Sequence, residues 1–248
     1  MPGKRYPPVK GVSQTQQVGM VREIFSTITS KYDVLNHLLS LRRDVAWRRF
    51  CVRRMSFFKT NRLLDVATGT GDLAIEAARR YPRIHVSGLD FVREMLDQGK
   101  KKLRERHLSG RITFLKGDAL HLPFPAESFD TIAIAFGIRN IPEKARALRE
   151  MARVVAPGGQ VMVLEFNFPR TPLFRPAYYV YLNILLPLLA RVLSPNPEAY
   201  AYLADSIMNF PSPEAFKTMM EQAGIVEVEV YRLTLGITCL YVGKIPAD

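Results

Sequence analysis

The stretch Arg62-Leu-Leu-Asp-Val-Ala-Thr-Gly-Thr-Gly-Asp-Leu73 decides the fold. An apolar run ending in Asp65 leads into Gly69-x-Gly71 and then into the helix-favouring Ile75-Glu-Ala-Ala-Arg79, which reads as a strand, a tight turn and a helix. The glycines admit positive φ and let a ligand close on the backbone. The helix start offers amide hydrogens with no partner of their own. Such a turn fits a nucleotide or nucleoside cofactor.

The same rhythm continues downstream. Ile84 to Asp90 is a short apolar run ending in an acid, and residues 92–106 follow as a charged amphipathic helix. Arg111 to Asp118 is a third strand. Ser128 to Ala135 is a fourth, apolar throughout as a strand buried on both faces would be. A helix over 142–154, a Pro157-Gly-Gly159 turn and a fifth strand over 160–166 complete the repeat. Repeated strand–helix units predict an α/β domain with a doubly wound, Rossmann-like sheet and its ligands at the carboxyl ends of the strands. The chain closes with a helix over 212–223 and two β-rich runs, 225–232 and 236–243, so that a final hairpin beside the parallel strands is expected. Upstream, residues 1–17 read as a disordered arm and 18–60 as a helical cap, with one helix through Val21, Ile24, Phe25 and Ile28 and another around Trp47 to Met55. Residues 171–210 break the rhythm. Pro176 to Ala190 carries no formal charge, yet it is shorter than a membrane span and contains Pro187, so it reads as an apolar lid inserted into the single domain 18–248.

The 248 residues suit one elaborated domain, and 48% hydrophobic content is ample for a core. Cys51 and Cys239 have no metal-ligand spacing, no metal is expected, and two thiols make no disulfide framework, which favours a cytoplasmic, reducing setting. The net charge of +12 is uneven: residues 1–111 hold 23 Lys/Arg against 10 Asp/Glu. The pairs Arg42-Arg43, Arg48-Arg49 and Arg53-Arg54 and the run Lys100 to Lys102 are candidates for a face that meets nucleic acid or anionic lipid, with a solvated basic surface as the plainer reading.

Gly69-x-Gly71-x-x-Ala74 with Asp90 about 20 residues on also matches a dinucleotide turn. Three features turn the reading toward S-adenosylmethionine. Asp65 sets a carboxylate before the glycines, suited to an ammonium and repelling a pyrophosphate. Asp118 and Ala119 end the third strand, where a carboxylate can take the adenine amine. Pro157-Gly-Gly159 precedes the fifth strand. In this reading Gly69, Thr70 and Gly71 pass along the methionine portion, and Asp90 takes both ribose hydroxyls. Phe91 or Met95 covers the adenine, and Ala135 and Phe136 lie beside the sulfonium. The Asn/Asp-Pro-Pro-aromatic tetrad of amine methylation is absent after the fourth strand, where Ala135-Phe-Gly-Ile-Arg-Asn140 stands. A carbon or oxygen acceptor is therefore favoured over a nucleobase.

Six segments carry a family resemblance: Lys31-Tyr-Asp-Val-Leu-Asn36, Leu64 to Asp72, Gly88-Leu-Asp-Phe91, Leu122-Pro-Phe-Pro125, Phe136-Gly-Ile-Arg-Asn140 and Arg153 to Gly159. With Tyr202 to Ile207 and Phe210-Pro211, the chain resembles the ubiquinone/menaquinone biosynthesis C-methyltransferases over roughly residues 18–244. It departs from them at Asp44 and Tyr241, where histidines are common, and at Ala135, often serine. The resemblance implies a seven-stranded class I methyltransferase sheet with an antiparallel terminal strand. It implies methylation of a polyprenylated quinol, demethylmenaquinol to menaquinol foremost, by a homodimer that touches the membrane surface transiently and needs no nucleic acid. It also puts Arg139 and Asn140 at the acceptor pocket, Arg139 stabilising a developing phenolate and Asn140 bonding a ring oxygen. Asp33, Tyr32 and His37 are weaker candidates for relaying the proton. The other readings are methylation of another small aromatic molecule or RNA, an NAD-dependent oxidoreductase, and a scaffold without catalysis.

Overall fold

The structure, a computed structural model, describes residues 6–8, 11–29, 32–169, 171–194 and 196–247, with Tyr32 and Leu193 described in backbone alone. Three helices open the chain: α1 (Gln14–Ile28), α2 (Tyr32–Leu39) and α3 (Arg43–Val52). The sheet then alternates with helices as β1 (Arg62–Val66), α4 (Asp72–Arg80), β2 (His85–Asp90), α5 (Arg93–Glu105), β3 (Ile112–Lys116), β4 (Phe129–Ala135), α6 (Lys144–Val154) and β5 (Val155–Phe166). The apolar segment forms α7 (Arg175–Val180), a π-helical turn at Tyr181–Leu185, and α8 (Leu186–Leu193). After it come α9 (Glu198–Met208), α10 (Pro213–Gln222), β6 (Val226–Leu233) and β7 (Thr238–Lys244).

The strand order is β3-β2-β1-β4-β5-β7-β6, with β1 to β5 parallel and β7 antiparallel to both of its neighbours. The reversal of strand order between β1 and β4 opens a crevice at their carboxyl ends. Val, Ile and Leu on both faces of β1, β4 and β5 are fully buried between the two helical layers, as the continuous apolar runs require. The last strand slots between β5 and the hairpin partner, which leaves β6 on the edge. Hydropathy cannot rank strands in space, so this order was not readable from the chain.

The structure corrects three boundaries. The first helix begins at Gln14, where Ser13 and Gln16 form a capping box, so the expected arm of residues 1–17 is shorter. Within that arm, the Tyr6 hydroxyl accepts a bond from Asn196 Nδ2 at 3.2 Å. The helix expected at Trp47 to Met55 runs instead over Arg43–Val52, starting four residues earlier and ending three earlier. Pro157-Gly-Gly159 is a bulge within β5, marked by a register shift opposite Phe129 and Thr131 and by Gly158 at φ +75°. The π-helical turn has a cause in Pro187, which has no N–H to return to the preceding turn. Before β1, the buried Asp130 carboxylate takes the amide hydrogens of Phe58, Lys59, Thr60 and Asn61 at 2.8–3.2 Å, which ties the strand's entry to β4.

Candidate active site

Two cavities meet above the crevice. The first, about 550 Å³, runs from Asp118 and Ala119 past Asp90, Phe91 and Met95 to Gly69, Thr70 and Asp65, and ends at Ala135 and Phe136. Its turn is shaped by positive φ at Ala67 (+51°), Gly69 (+57°) and Gly71 (+85°). Gly69 faces open space where a Cβ would stand. Gly71 instead packs so closely that a Cβ would come within 2.4 Å of Phe114 Cζ, and it serves the turn without lining the cavity. The Asp90 carboxylate accepts from the Gly69 amide at 2.8 Å and the Val92 amide at 2.9 Å, which fixes its orientation, while burial raises its pKa. Asp65, at the heart of the crevice, accepts from the Thr68 hydroxyl at 2.6 Å and the Ala74 amide at 3.2 Å. Neither is a cation, and burial pushes its carboxyl up to about 7.

The second cavity, about 730 Å³, lies between α2, α3, the π-helical turn, α8 and α9. Its walls are mostly apolar, including Leu182, Leu186, Ile207 and Phe174. The aromatic trio Trp47, Phe136 and Phe166, with ring centroids 4.6–6.1 Å apart, stands toward the first cavity. Phe25, Arg48 and Phe136 line both cavities. Arg139 lines the second. Its Nη1 donates to Glu165 Oε1 at 2.8 Å and to the Phe136 carbonyl, and its guanidinium lies 5.4 Å from the Phe166 ring centroid. Both members of this pair are buried, and the buried Arg139 Nε has no hydrogen-bond partner among the described residues.

The chain matches the model of the ubiE/COQ5 methyltransferase family over residues 10–244. It is 42% identical over 231 residues to the ubiquinone/menaquinone biosynthesis C-methyltransferase UbiE of Geotalea daltonii, covering 93% of this chain and 98% of the relative. A demethylmenaquinone methyltransferase of Deinococcus radiodurans is 41% identical, covering 98% and 99%. The chain belongs to the ubiE/COQ5 methyltransferase family. The sheet is that of class I methyltransferases: a SAM-dependent methyltransferase of Thermotoga maritima superposes with TM-score 0.61 at 19% identity, over 90% of this chain and 98% of that one.

The site residues that the sequence proposed for this family's cofactor come together in the first cavity, Gly71 excepted. The crevice suits S-adenosylmethionine on its own chemistry, since a buried carboxylate that bonds no cation among the described residues, and an open face at Gly69, fit a ligand carrying an ammonium. The proposed acceptor residues are dispersed. Arg139 is in the second cavity. Asn140 lines the first, and its Oδ1 accepts from Tyr202, a wall of the second, at 3.2 Å. Asp33 lines neither cavity: it accepts from the Thr70 hydroxyl at 2.6 Å and Lys102 Nζ at 2.9 Å, pinning α2 to the glycine turn. The side chain of Tyr32 lies outside the described residues. His37 turns away from Asp33, and its Nδ1 lies 2.7 Å from Asp44 Oδ2. Tyr241 is fully buried in the core.

Sequence reasoning missed Glu165, Tyr202, Arg48 and Asp44. A lone glutamate inside Val161-Met-Val-Leu-Glu-Phe166 was a usable signal, because a buried acid needs a cation. The sequence puts Arg48 and Lys102 in clusters that either meet an anionic partner or stand in solvent, yet they are only 12% and 13% exposed and bind Asp44, Asp33 and Asp72. Burial alone would raise the carboxyls of Asp44 and Asp72. The charge of Arg48, joined at Asp72 by Lys102, brings both below the usual value.

Proposed function

We propose that this protein transfers the methyl group of S-adenosylmethionine to a ring carbon of a polyprenylated quinol, demethylmenaquinol foremost. One observation carries the reading: an apolar cavity of about 730 Å³ adjoins the cofactor crevice at Phe136 and holds a buried arginine with an unsatisfied Nε. A flat aromatic ring with a hydrocarbon tail matches such walls, and its oxygens match that donor. This is also the substrate class named by the relatives from Geotalea and Deinococcus.

When bound, S-adenosylmethionine supplies an electrophilic methyl group. The ring carbon becomes nucleophilic as a hydroxyl proton leaves and the phenolate charge spreads onto it. Arg139 stabilises that charge through its free Nε, with Glu165 fixing the guanidinium from behind. Proton removal proceeds through water at this end of the cavity. Asn140, anchored by Tyr202 from the acceptor side, bonds a ring oxygen through Nδ2. Phe136 and Ala135 hold the two compartments in register, and such positioning is worth as much as ~7–11 kcal/mol of barrier. The tail runs between the π-helical turn, α8 and α9.

The mouth of this cavity supports membrane contact. Leu38, Leu41, Leu185 and Leu189 line it and are exposed, and they continue into Ile184, Leu188 and Val192 on the outer face. Exposed Arg42, Arg43, Arg175 and Arg191 flank them, a pairing suited to an anionic bilayer. No helix among the described residues is long and apolar enough to cross a membrane. The quinones of cells lacking the protein test the substrate. Demethylmenaquinone should accumulate, and an unchanged quinone profile would overturn the proposal.

A further inference from the structure

We infer that Asp33 is a positioning residue that couples the two cavities: it ties α2, a wall of the acceptor cavity, to the turn that holds the cofactor, so that each ligand strengthens the binding of the other. The inference rests on the reading of the larger cavity as the quinol site. Asp33 lies on α2, whose Asn36, Leu38 and Leu39 line that cavity. One oxygen of its carboxylate accepts from the Thr70 hydroxyl at 2.6 Å and the other from Lys102 Nζ at 2.9 Å. Thr70, between Gly69 and Gly71, is buried and lines the cofactor cavity. Its hydroxyl gives its one proton to Asp33 and accepts from Lys102 Nζ at 3.0 Å, so that side chain serves the helix and leaves the ligand to the backbone of the turn.

The helix depends on these bonds. Its eight residues are too few to stay helical unaided, and among its described side chains Leu35 is the single apolar one that is buried, while Val34 and Leu38 are exposed. Charges hold both of its ends. Lys102 Nζ donates to Asp72 Oδ1 at 2.5 Å as well as to Asp33, and Asp72 opens α4 directly after the glycine turn. Asp72 Oδ2 lies 4.0 Å from Arg48 Nη1, which reaches Asp44 Oδ2 at 2.5 Å, and the same oxygen lies 2.7 Å from His37 Nδ1 near the far end of α2. A cofactor lying along Gly69 and Thr70 restrains the turn and, through Asp33, the helix. The quinol then meets a wall that is already ordered, and linkage makes the effect reciprocal. Asp33 achieves this while lining neither cavity.

Calorimetry with S-adenosylhomocysteine, in vesicles with and without menaquinol, reads the coupling directly, because this product pair cannot turn over. In the wild-type protein menaquinol should tighten S-adenosylhomocysteine by about five- to 150-fold, the usual range for two coupled sites. In Asp33→Asn, which keeps the shape and loses the charge, the affinity for S-adenosylhomocysteine alone should stay near the wild-type value and the tightening should fall toward onefold. Thr70→Val should lose the tightening and Thr70→Ser, which restores the hydroxyl, should keep it, a comparison that decides the matter even where Asp33→Asn folds poorly. Two ligands that bind the wild type independently would overturn the inference and leave the proposed function standing. Undiminished tightening in Asp33→Asn or Thr70→Val would overturn it too, and would make Asp33 a structural brace. Failure of menaquinol to bind the wild type at all would overturn the proposed function and this inference with it.

Discussion

Asp65 shows how a single carboxylate links folding to ligand binding. Its carboxyl lies near 7 in the folded chain against 3.8 for a free aspartate, so between these values the folded state holds a proton that the unfolded state has released. Stability therefore falls as pH rises through that window, and the full cost is present above about pH 7. An arriving ammonium removes it. The thermal shift given by S-adenosylhomocysteine should accordingly be larger at pH 8 than at pH 6, and Asp65→Asn should flatten that difference. Arg139 and Glu165 make the opposite case, a buried pair whose charges already compensate each other. Arg139→Ala strands Glu165 and should lower stability by about 3–5 kcal/mol, with Glu165→Gln in the same chain recovering part of it in thermal melts. Turnover of Arg139→Ala, measured on the folded fraction, should fall strongly while its cofactor affinity stays nearly intact. The acids of the cofactor crevice were legible in the sequence because each follows an apolar strand. Arg48 and Asp44 were not, since a basic residue in a basic stretch gives no sign that its helix will turn it inward.

At the scale of elements, the glycine turn divides its labour between two positions. Gly71→Ala drives a methyl into Phe114 at φ +85° and should destabilise the fold by roughly 1–3 kcal/mol, seen as a lowered melting temperature. Gly69→Ala meets no atom of the described residues within 4 Å and bears backbone strain alone, about 1–2 kcal/mol. Its larger effect should be a weaker cofactor affinity, measured by calorimetry, because the added methyl stands in the ligand's space. The strands and helices between Arg62 and Phe166 follow from local patterns: β4 is apolar on both faces, and α4 opens directly from the turn. What escaped the sequence depends on contacts remote along the chain. The insertion of β7 between β5 and β6 is set by pairing across the sheet, and the cap's second cavity forms only when α2 and α3 face α8 and α9.

Across the whole molecule, the charge and the apolar surface take on a division that composition hinted at without locating. The basic first half does not form one face. Arg48 and Lys102 turn inward, Arg54 stacks over Phe50 and Tyr231, and Arg42 and Arg43 remain at the rim of the acceptor cavity. If that rim meets the bilayer, replacing exposed Leu185 and Leu188 by Glu should reduce co-sedimentation with anionic vesicles. It should also slow methylation of a long-tailed quinol, while the affinity for S-adenosylhomocysteine, bound in the other cavity, stays unchanged. Equal vesicle binding by the double variant would remove this face from the account. The proposed reaction is carbon methylation of a quinol at the junction of two cavities. It is tested most directly by incubating the purified protein with methyl-labelled S-adenosylmethionine and reduced demethylmenaquinone in vesicles, then locating the label by mass spectrometry. One labelled methyl on a ring carbon is expected, and a label on oxygen, or none in the quinone, would overturn the assignment.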